Sequence, residues 1–489
     1  MTRSSLRRSS IACSTTVWLS TCGATATDSG ERSGRRVKKW ANHEERVAHF
    51  SRPKMAQFEK TVDRGVPHIH DTTSSHKPKR RSKMNIWYLS AHDQPKGHSA
   101  RTYDYSCELV KRGHQVTMFT NSYCHFTHVE RLAPHEKWRI EDIDGIRVIW
   151  LKAIHYTGNG WRRGANMLTN VWRSIQVAKT LTDRPDVVIG PSVPLGTGWA
   201  ASRIAEVNEA AFVFEVRDVW PIILVNSGAL SNRNPVYYLF RLIEKYLYRK
   251  AQLISSALPF IYDHVSESGG LSDKVIYIPN GVNFERFSSD KEYSGGIALP
   301  IVAMYVGGYS VLHDVISIVK AANILKKRGI SDYRFVLVGD GDKRSECERE
   351  VLSYGLSNIE FRDPVPKSDV PLLQTEADIL IACATNSPGL RFGLNSNKIY
   401  DYLASARPVI FSGNAPNDPV AESGAGFSIP PQDPEAMAEA LLKFLEMSPA
   451  ERIEMGKRGR RYVESEFDMR KLAVRMESLL MQAIEERRL

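Results

Sequence analysis

The chain has no paired cysteines, no long apolar run, and no charge excess outside its first sixth. Six cysteines, Cys13, Cys22, Cys107, Cys124, Cys347 and Cys383, are scattered over 489 residues with no C-x-x-C spacing. This excludes a zinc ribbon and a disulfide framework, and no metal is called for; a reduced, cytosolic protein is the default. No stretch approaches the ~18 consecutive apolar residues needed to span a bilayer, so any membrane contact is made from outside. Residues 1–83 hold 18 of the 66 Lys and Arg and 7 of the 55 Asp and Glu, which accounts for the whole formal charge of +11. The rest of the chain is neutral, and the high basicity therefore implies no nucleic-acid footprint on the folded part.

Those first 83 residues also lack apolar periodicity. Rich in Ser, Thr, Arg and Lys, they read as a disordered basic extension that cannot repay its ordering entropy. The start, MTRSSLRRSSIACSTTVWLSTCGATA, imitates a signal peptide, but Ser and Thr break its apolar patch. Met84 opens MNIWYLSAH, where an ordered first strand begins. The expectation is that Met84 is the true start and that residues 1–83 are a non-functional upstream extension.

From Met84 onward, short Val/Ile/Leu runs alternate with helix-length amphipathic stretches, the pattern of parallel sheets with crossover helices. One set of strands falls at 84–90, 115–120, 146–151, 186–190, 211–216, 252–256 and 274–278. A segment rich in Asn, Gly, Ser and Pro separates it from a second set at 300–306, 333–338, 357–361, 378–382, 407–411 and 426–429, followed by a helical region to about 485. The expected fold class is α/β, with two doubly wound, Rossmann-like domains facing each other across a cleft. The expected boundaries are 84–285 for the first domain, 286–465 for the second, and 466–489 for a C-terminal helix packing back toward the first.

Open parallel sheets bind ligands at the carboxyl ends of their strands, so the loops there carry the chemistry. After the first strand, Gly97 permits a close turn and Arg101 lies in the first turn of a helix, a suitable place for an anion. Equally, Gly97 merely makes the turn and Arg101 is solvated. In the second half, Gly339 and Gly341 flank Asp340. Further on, Gly389, Gly393 and the Asn395, Ser396, Asn397 cluster precede a helix from Asn397 to Ala404. Lys398 and Asp401 are three apart and share one face of its first turn. A lysine there can meet a diphosphate drawn by the helix dipole, and the aspartate can accept both hydroxyls of a ribose. Taken alone, the pair reads as well as a surface ion pair worth roughly 0.3 kcal/mol.

The order of FEVRDVWP (214–221), LIEKYLYRKAQLISS, VIYIPNGVNFERF, YVGGY, VLVGDGDK, TEADILIA and NSNKIYDYLASARPVIF resembles family-4 retaining glycosyltransferases of the GT-B fold, over about residues 84–489. The bacterial branch that transfers N-acetylated aminosugars during O-antigen or capsule assembly looks similar. The resemblance implies a nucleotide-sugar donor, UDP-linked by analogy, no cofactor, and a lipid-linked or saccharide acceptor. It places Gly97, Arg101 and Asp218 on the acceptor side of the cleft. Gly308 and Tyr309 would approach the phosphates with Gly339 beside them, Val365 and Pro366 would pass the base, Asn397 and Lys398 would meet the diphosphate, and Asp401 would hold the ribose. Lys398 and Asp218 are the implied catalytic residues. The family carries two glutamates separated by seven residues; Asp401 stands for the second, but Gly393 stands where the first belongs. The family's GKPV appears as ARPV from Ala406. Two rivals remain open: a UDP-N-acetylhexosamine epimerase of the same fold, and a catalytically silent nucleotide-sugar-binding subunit.

Residues 145–182 hold six Lys and Arg and no Asp or Glu, with Trp150, Tyr156, Trp161 and Trp172 among them. Aromatics rimmed by cations suit a peripheral contact with anionic lipid, at the cytoplasmic face of the plasma membrane. The same residues also fit a core strand and a buried helical stripe at Met167, Val171 and Ile175.

Overall fold

The protein's computed structural model describes residues 83–97, 101–124, 129–156, 160–287, 293–296 and 298–489. The basic extension expected at 1–83 lies, except for Lys83, outside them. The first domain runs β1 (Asn85–Leu89), α1 (Arg101–Lys111), β2 (Gln115–Asn121), β3 (Trp138–Ile143), β4 (Ile146–Leu151), α2 (Trp161–Ala178), β5 (Val187–Pro191), α3 (Leu195–Val207), β6 (Ala211–Val216), α4 (Ile222–Asn226), α5 (Pro235–Lys250), β7 (Leu253–Ser256), α6 (Tyr262–Glu267) and β8 (Val275–Tyr277). Its sheet has the order β3-β4-β2-β1-β5-β6-β7-β8 and is parallel apart from the β3–β4 hairpin.

Alternation along β1 assigns each face of that sheet a separate core. Trp87 and Leu89 pack toward α2, α3 and α5, while Ile86 and Tyr88 pack toward α1 and a helix from the far end of the chain. Trp150 and Tyr156 belong to this interior and are buried, a correction to the interfacial role expected of them. The strand β3 was not expected, because its side chains are mostly exposed and half of them are charged. Its signal is the Asp144-Gly145 pair, both with positive φ, which closes a tight hairpin with β4.

The second domain runs β9 (Ile301–Val306), α7 (Ile316–Lys327), β10 (Tyr333–Val338), α8 (Arg344–Ser353), β11 (Ile359–Arg362), α9 (Val370–Gln374), β12 (Ile379–Cys383), α10 (Asn397–Ala404), β13 (Val409–Ser412), α11 (Pro419–Ser423), β14 (Gly426–Ile429), α12 (Pro434–Glu446) and α13 (Pro449–Glu466), and is followed by a last helix, α14 (Met469–Arg488). Its six strands are all parallel, in the order β11-β10-β9-β12-β13-β14. The jump from β9 to β12 marks the switch point at which ligands bind in such sheets.

Two chain crossings join the domains and are bonded side by side. Val282 N donates to Phe467 O at 2.8 Å, and Met469 N donates to Val282 O at 3.1 Å. Beyond the second crossing, α14 returns to the first domain and buries Leu472, Met476, Leu479 and Leu480 there. Each such side chain contributes roughly 1.5–3 kcal/mol. Among the described residues no helix is long and apolar enough to cross a membrane.

Candidate active site

The loops after β9 and β10 touch backbone to backbone. Gly339 has φ +135°, and a Cβ on it would lie 1.9 Å from Gly307 O, so no side chain fits. The contact is fixed by Gly307 N donating to Val338 O (3.0 Å) and Tyr309 N donating to Asp340 O (2.9 Å). Gly308 faces open space, its virtual Cβ meeting nothing closer than Asp340 O at 3.9 Å. Tyr309 does not present itself to a ligand. Its ring is buried 5.8 Å from that of Tyr305, and its backbone carbonyl accepts from Lys343 N, which corrects the expectation that it approaches the phosphates.

Facing this loop is the amino end of α10. Ser396 stands at its N-cap without a side-chain hydrogen bond, so the first-turn amides that no helical carbonyl can satisfy have no side-chain cap. Lys398 extends from that turn to Gly307. Its Nζ donates to the Tyr305 hydroxyl at 2.9 Å and lies 4.1 Å from the Tyr305 ring centre. The Tyr305 hydroxyl in turn donates to Gly308 O at 2.6 Å. No carboxylate pairs with Lys398 among the described residues, and burial lowers its ammonium to about 8. His313, next to it, is pushed down to about 4 by burial and by the lysine's charge, and so stays neutral. Tyr305 was missed at the sequence level; its signal is its place two residues before the paired glycines of YVGGY.

Asp401 looks elsewhere than Lys398. Burial raises its carboxyl to about 6, while Lys367 and Arg286 draw it back down and Asp104 pushes it up. It lines a small hollow with Gly281, Asn283, Arg286, Phe287 and Lys367, with room for a water and not for a ribose. Arg286 is held in the hollow's wall by Asp104 of α1, at 2.5 Å and 3.3 Å. Val365 and Pro366 lie in the loop after β11, where Val365 packs partly on the core and Pro366 O opens the turn into α9. Asn397 is the first residue of α10. The loop before it is clamped by Asn417, whose carboxamide accepts from Leu394 N (2.5 Å) and donates to Leu394 O (3.0 Å). Nothing in the sequence marked Asn417.

On the side of the first domain, Gly97 makes the tight turn after β1, its amide donating to Gln94 O at 3.0 Å. Arg101 is not at an open site. It is buried, with Nε on Glu215 (2.8 Å) and its terminal nitrogens on Ile278 O, Pro279 O and the Asn280 side chain. Arg101 therefore ties the interdomain crossing to β6, which corrects its expected place at the acceptor. Glu215 also takes Arg217 Nε at 2.6 Å and the Tyr88 hydroxyl at 2.6 Å, and Arg217 reaches Asp93 at 2.6 Å. Burial pushes Glu215 up, but Arg217 and Arg101 more than reverse it. On top of this neutral, closed network stands Asp218, just past the carboxyl end of β6. Its side chain reaches solvent, yet the protein around it raises its carboxyl to about 6.

Residues 96–281 match the glycosyl transferase 4-like domain, and residues 300–447 match the glycosyl transferases group 1 family. The two matches follow one another in tandem and together cover about two-thirds of the chain. The chain belongs to the GT-B glycosyltransferases. It is 23% identical over 246 residues to the "Probable glycosyltransferase WbjE" of Pseudomonas aeruginosa, covering 48% of this chain and 60% of that one. It is 26% identical over 176 residues to a phosphatidyl-myo-inositol mannosyltransferase of Mycobacterium leprae, covering 36% of this chain and 45% of that one. The chain thus spans about half the length of these curated relatives. The fold is similar to that of Anabaena Alr3699/HepE in complex with UDP and glucose, with a TM-score of 0.58, 14% identity, and 81% and 99% of the two chains covered.

In this GT-B glycosyltransferase the missing first glutamate has a packing reason. Gly393 has φ +106°, and a Cβ there would meet Pro259 of the first domain at 2.5 Å. Beside it, Phe392 enters the core of the first domain and its carbonyl accepts from Phe260 N at 3.1 Å. The position serves as a joint between the domains. Ala406 adopts the left-handed conformation that follows a helix end, with φ +57°.

Proposed function

We propose that the protein is a retaining hexosyltransferase that moves a sugar, an N-acetylated aminosugar, from a UDP-linked donor to a lipid-linked saccharide during surface-polysaccharide assembly. The observation that carries the donor half is the pairing of a helix end without a side-chain cap with a part-buried lysine that has no carboxylate partner among the described residues, both facing open backbone at Gly308. A diphosphate supplies the charge this site lacks. The Anabaena neighbour, solved with UDP and glucose, supports a uridine nucleotide sugar. The mycobacterial relative, named for a phosphatidyl-inositol substrate, supports a lipid acceptor, and with it a position at the cytoplasmic face of the membrane.

As negative charge develops on the departing diphosphate, Lys398 and the α10 amides stabilise it in a site already organised for that purpose. Asp401 takes the ribose once the hollow it lines widens beyond its water-sized room, with Val365 and Pro366 along the base. Asp218 faces the acceptor. No described side chain is set as a nucleophile on the sugar, so the acceptor attacks on the face from which the diphosphate leaves, and a leaving-group oxygen takes its proton. Gly393 and Ala406 do not argue for a silent binding subunit, because backbone and packing account for both. The test is to incubate UDP-sugars with and without a polyprenyl-diphosphate-linked sugar and to weigh the lipid product. Conversion of the donor without acceptor would mean an epimerase, and UDP binding with no product on any lipid would mean a silent subunit.

A further inference from the structure

The turn that brings the chain into α10 is gripped by the first domain on two sides. On one side α4 lies against Gly389, whose virtual Cβ meets Asn226 Nδ2 at 3.4 Å and Ile223 Cδ1 at 3.8 Å. On the other, the segment that opens α6 holds Phe392 and Gly393. Phe260 N donates to Phe392 O at 3.1 Å, Pro259 covers Gly393, and the His264 ring meets the Phe392 ring edge to face, with centres 5.3 Å apart and planes at 64°. The Arg391 guanidinium lies over the same ring, 4.6 Å from its centre. Rings in this arrangement hold each other's orientation as well as adding apolar contact.

His264 belongs to a polar cluster buried beside an apolar core. Its Nε2 bonds Glu244 Oε1 of α5 at 2.7 Å, and because a carboxylate only accepts, that nitrogen carries the proton. Glu244 is 1% exposed; its other oxygen takes Arg241, and the Tyr248 hydroxyl donates to it at 3.3 Å. Arg241 also reaches Ser268 Oγ, just past α6, at 3.2 Å. The carboxylate and the guanidinium thus match within the cluster. A buried ion pair is a weak source of stability, since desolvation offsets most of its attraction, and its best-attested use is to fix one arrangement among several. The arrangement fixed here is the packing of α6 on α5, and with it the wall against which Phe392 stands.

We infer that Glu244 and His264 are positioning residues for the donor: they set Phe392, and through Phe392 they set where the first turn of α10 and Lys398 stand. The inference rests on the donor site proposed above. Phe392 and Lys398 are six positions apart, and the segment between them is constrained throughout. Gly393 sits at φ +106°, Leu394 is clamped by Asn417, and α10 begins at Asn397. A ring displaced in its socket therefore shifts the amides and the ammonium that face the diphosphate while leaving those groups chemically intact. In a site of this kind a misplacement of about 1 Å costs on the order of 10²-fold in rate.

The test is UDP affinity by calorimetry on the full chain, at a temperature where thermal melts show every variant folded. His264→Ala and Phe392→Leu each weaken UDP binding about tenfold, the lower end of what losing a charged contact to the diphosphate costs. The double variant loses no more than either alone, because both changes break one contact. Glu244→Leu matches them, whereas Glu244→Gln, which still accepts from His264, loses less than about threefold. Phe392→Leu exchanges one apolar side chain for another and leaves the buried cluster whole, so it decides the matter even where a Glu244 variant does not fold. A role in stability alone, with a lowered Tm and UDP affinity within about twofold of the wild type, overturns the inference, and so does a double variant whose losses multiply. Lys398→Met keeps the two readings apart. If it binds UDP as the wild type does, the donor site itself is misassigned; if it binds weakly while His264→Ala and Phe392→Leu bind normally, the site stands and its positioning by the first domain falls.

Discussion

Replacing Lys398 with methionine separates what the lysine does for the donor from what it costs the fold. Burial lowers its ammonium from 10.5 to about 8, and no carboxylate compensates. At 1.36 kcal/mol per unit this is a penalty on the order of 3 kcal/mol for holding the charge at pH 7. The folded pKa lies below the unfolded one, so the penalty is fully present below pH 8 and is relieved as pH rises toward 10.5. Methionine has a similar length and no charge, and loses the hydrogen bond to Tyr305 and the cation–π contact with its ring, together about 1–2 kcal/mol. Lys398→Met should therefore be more stable than the wild type at pH 7 by about 1–2 kcal/mol in urea denaturation, and the difference should shrink above pH 8. The donor side moves the other way. A charged contact to the diphosphate is worth about 1.5–3 kcal/mol in binding, or ten- to roughly 150-fold in UDP affinity, and removing a donor to developing charge costs a further 10²–10³ in turnover. In the wild type, UDP affinity should fall with pH above about 8. A variant that is destabilised by 2 kcal/mol, or that binds UDP as the wild type does, would refute this account of the site.

Other substitutions test the scaffold. Gly393→Ala forces a Cβ to within 2.5 Å of Pro259 at a φ of +106°, so it should cost 2 kcal/mol or more, on the order of an overpacked and strained site, read as a drop in Tm. Ala406→Gly relieves a left-handed residue at the end of α10 and should stabilise by about 0.5–1 kcal/mol in urea without changing UDP affinity; a loss of stability would mean that the site is not strained. Arg101→Met leaves Glu215 with one cation fewer in a closed network and should destabilise by about 3–5 kcal/mol, whereas a change confined to acceptor KM would return Arg101 to the site.

The strands and crossover helices of both domains were legible because apolar runs of strand length, separated by amphipathic stretches, admit little else. The hairpin strand β3 escaped because it is exposed and half of its residues are charged, so it makes no apolar run, and Asp144-Gly145 was its clearest signal. The lysine and the glycine loops were legible for a local reason: a helix start, a nearby cation and glycines after strands lie within a few residues of one another in the chain. Arg101 was misread because its partners, Glu215 and residues 278–280, are more than a hundred positions away. An arginine in a first helical turn looks the same in sequence whether it awaits an anion or is already satisfied. Tyr309 was misread because a glycine-flanked position fixes the backbone's place but not the direction of the side chain. The amphipathic stretch at 145–182 held both core and surface, and only burial separates Trp150 from Trp161.

The loop that carries the donor grip is also the loop that joins the domains. Phe392 is fixed in the core of the first domain, Leu394 is clamped by Asn417 of the second, and four residues later Lys398 reaches Gly307. Over so short a span, covered by at most 3.3–3.6 Å of chain per residue, little slack separates the anchors. On the proposed donor site, a diphosphate at the end of α10 would pull on a segment whose other end is held by the first domain. The second point of linkage is electrostatic, since Asp104 of α1 holds Arg286, and Arg286 sets the charge next to Asp401. On the proposed donor site, occupancy and domain position would thus be coupled through two routes built from different residues. Gly393 sits on the shorter of them, where a side chain would meet Pro259 of the first domain.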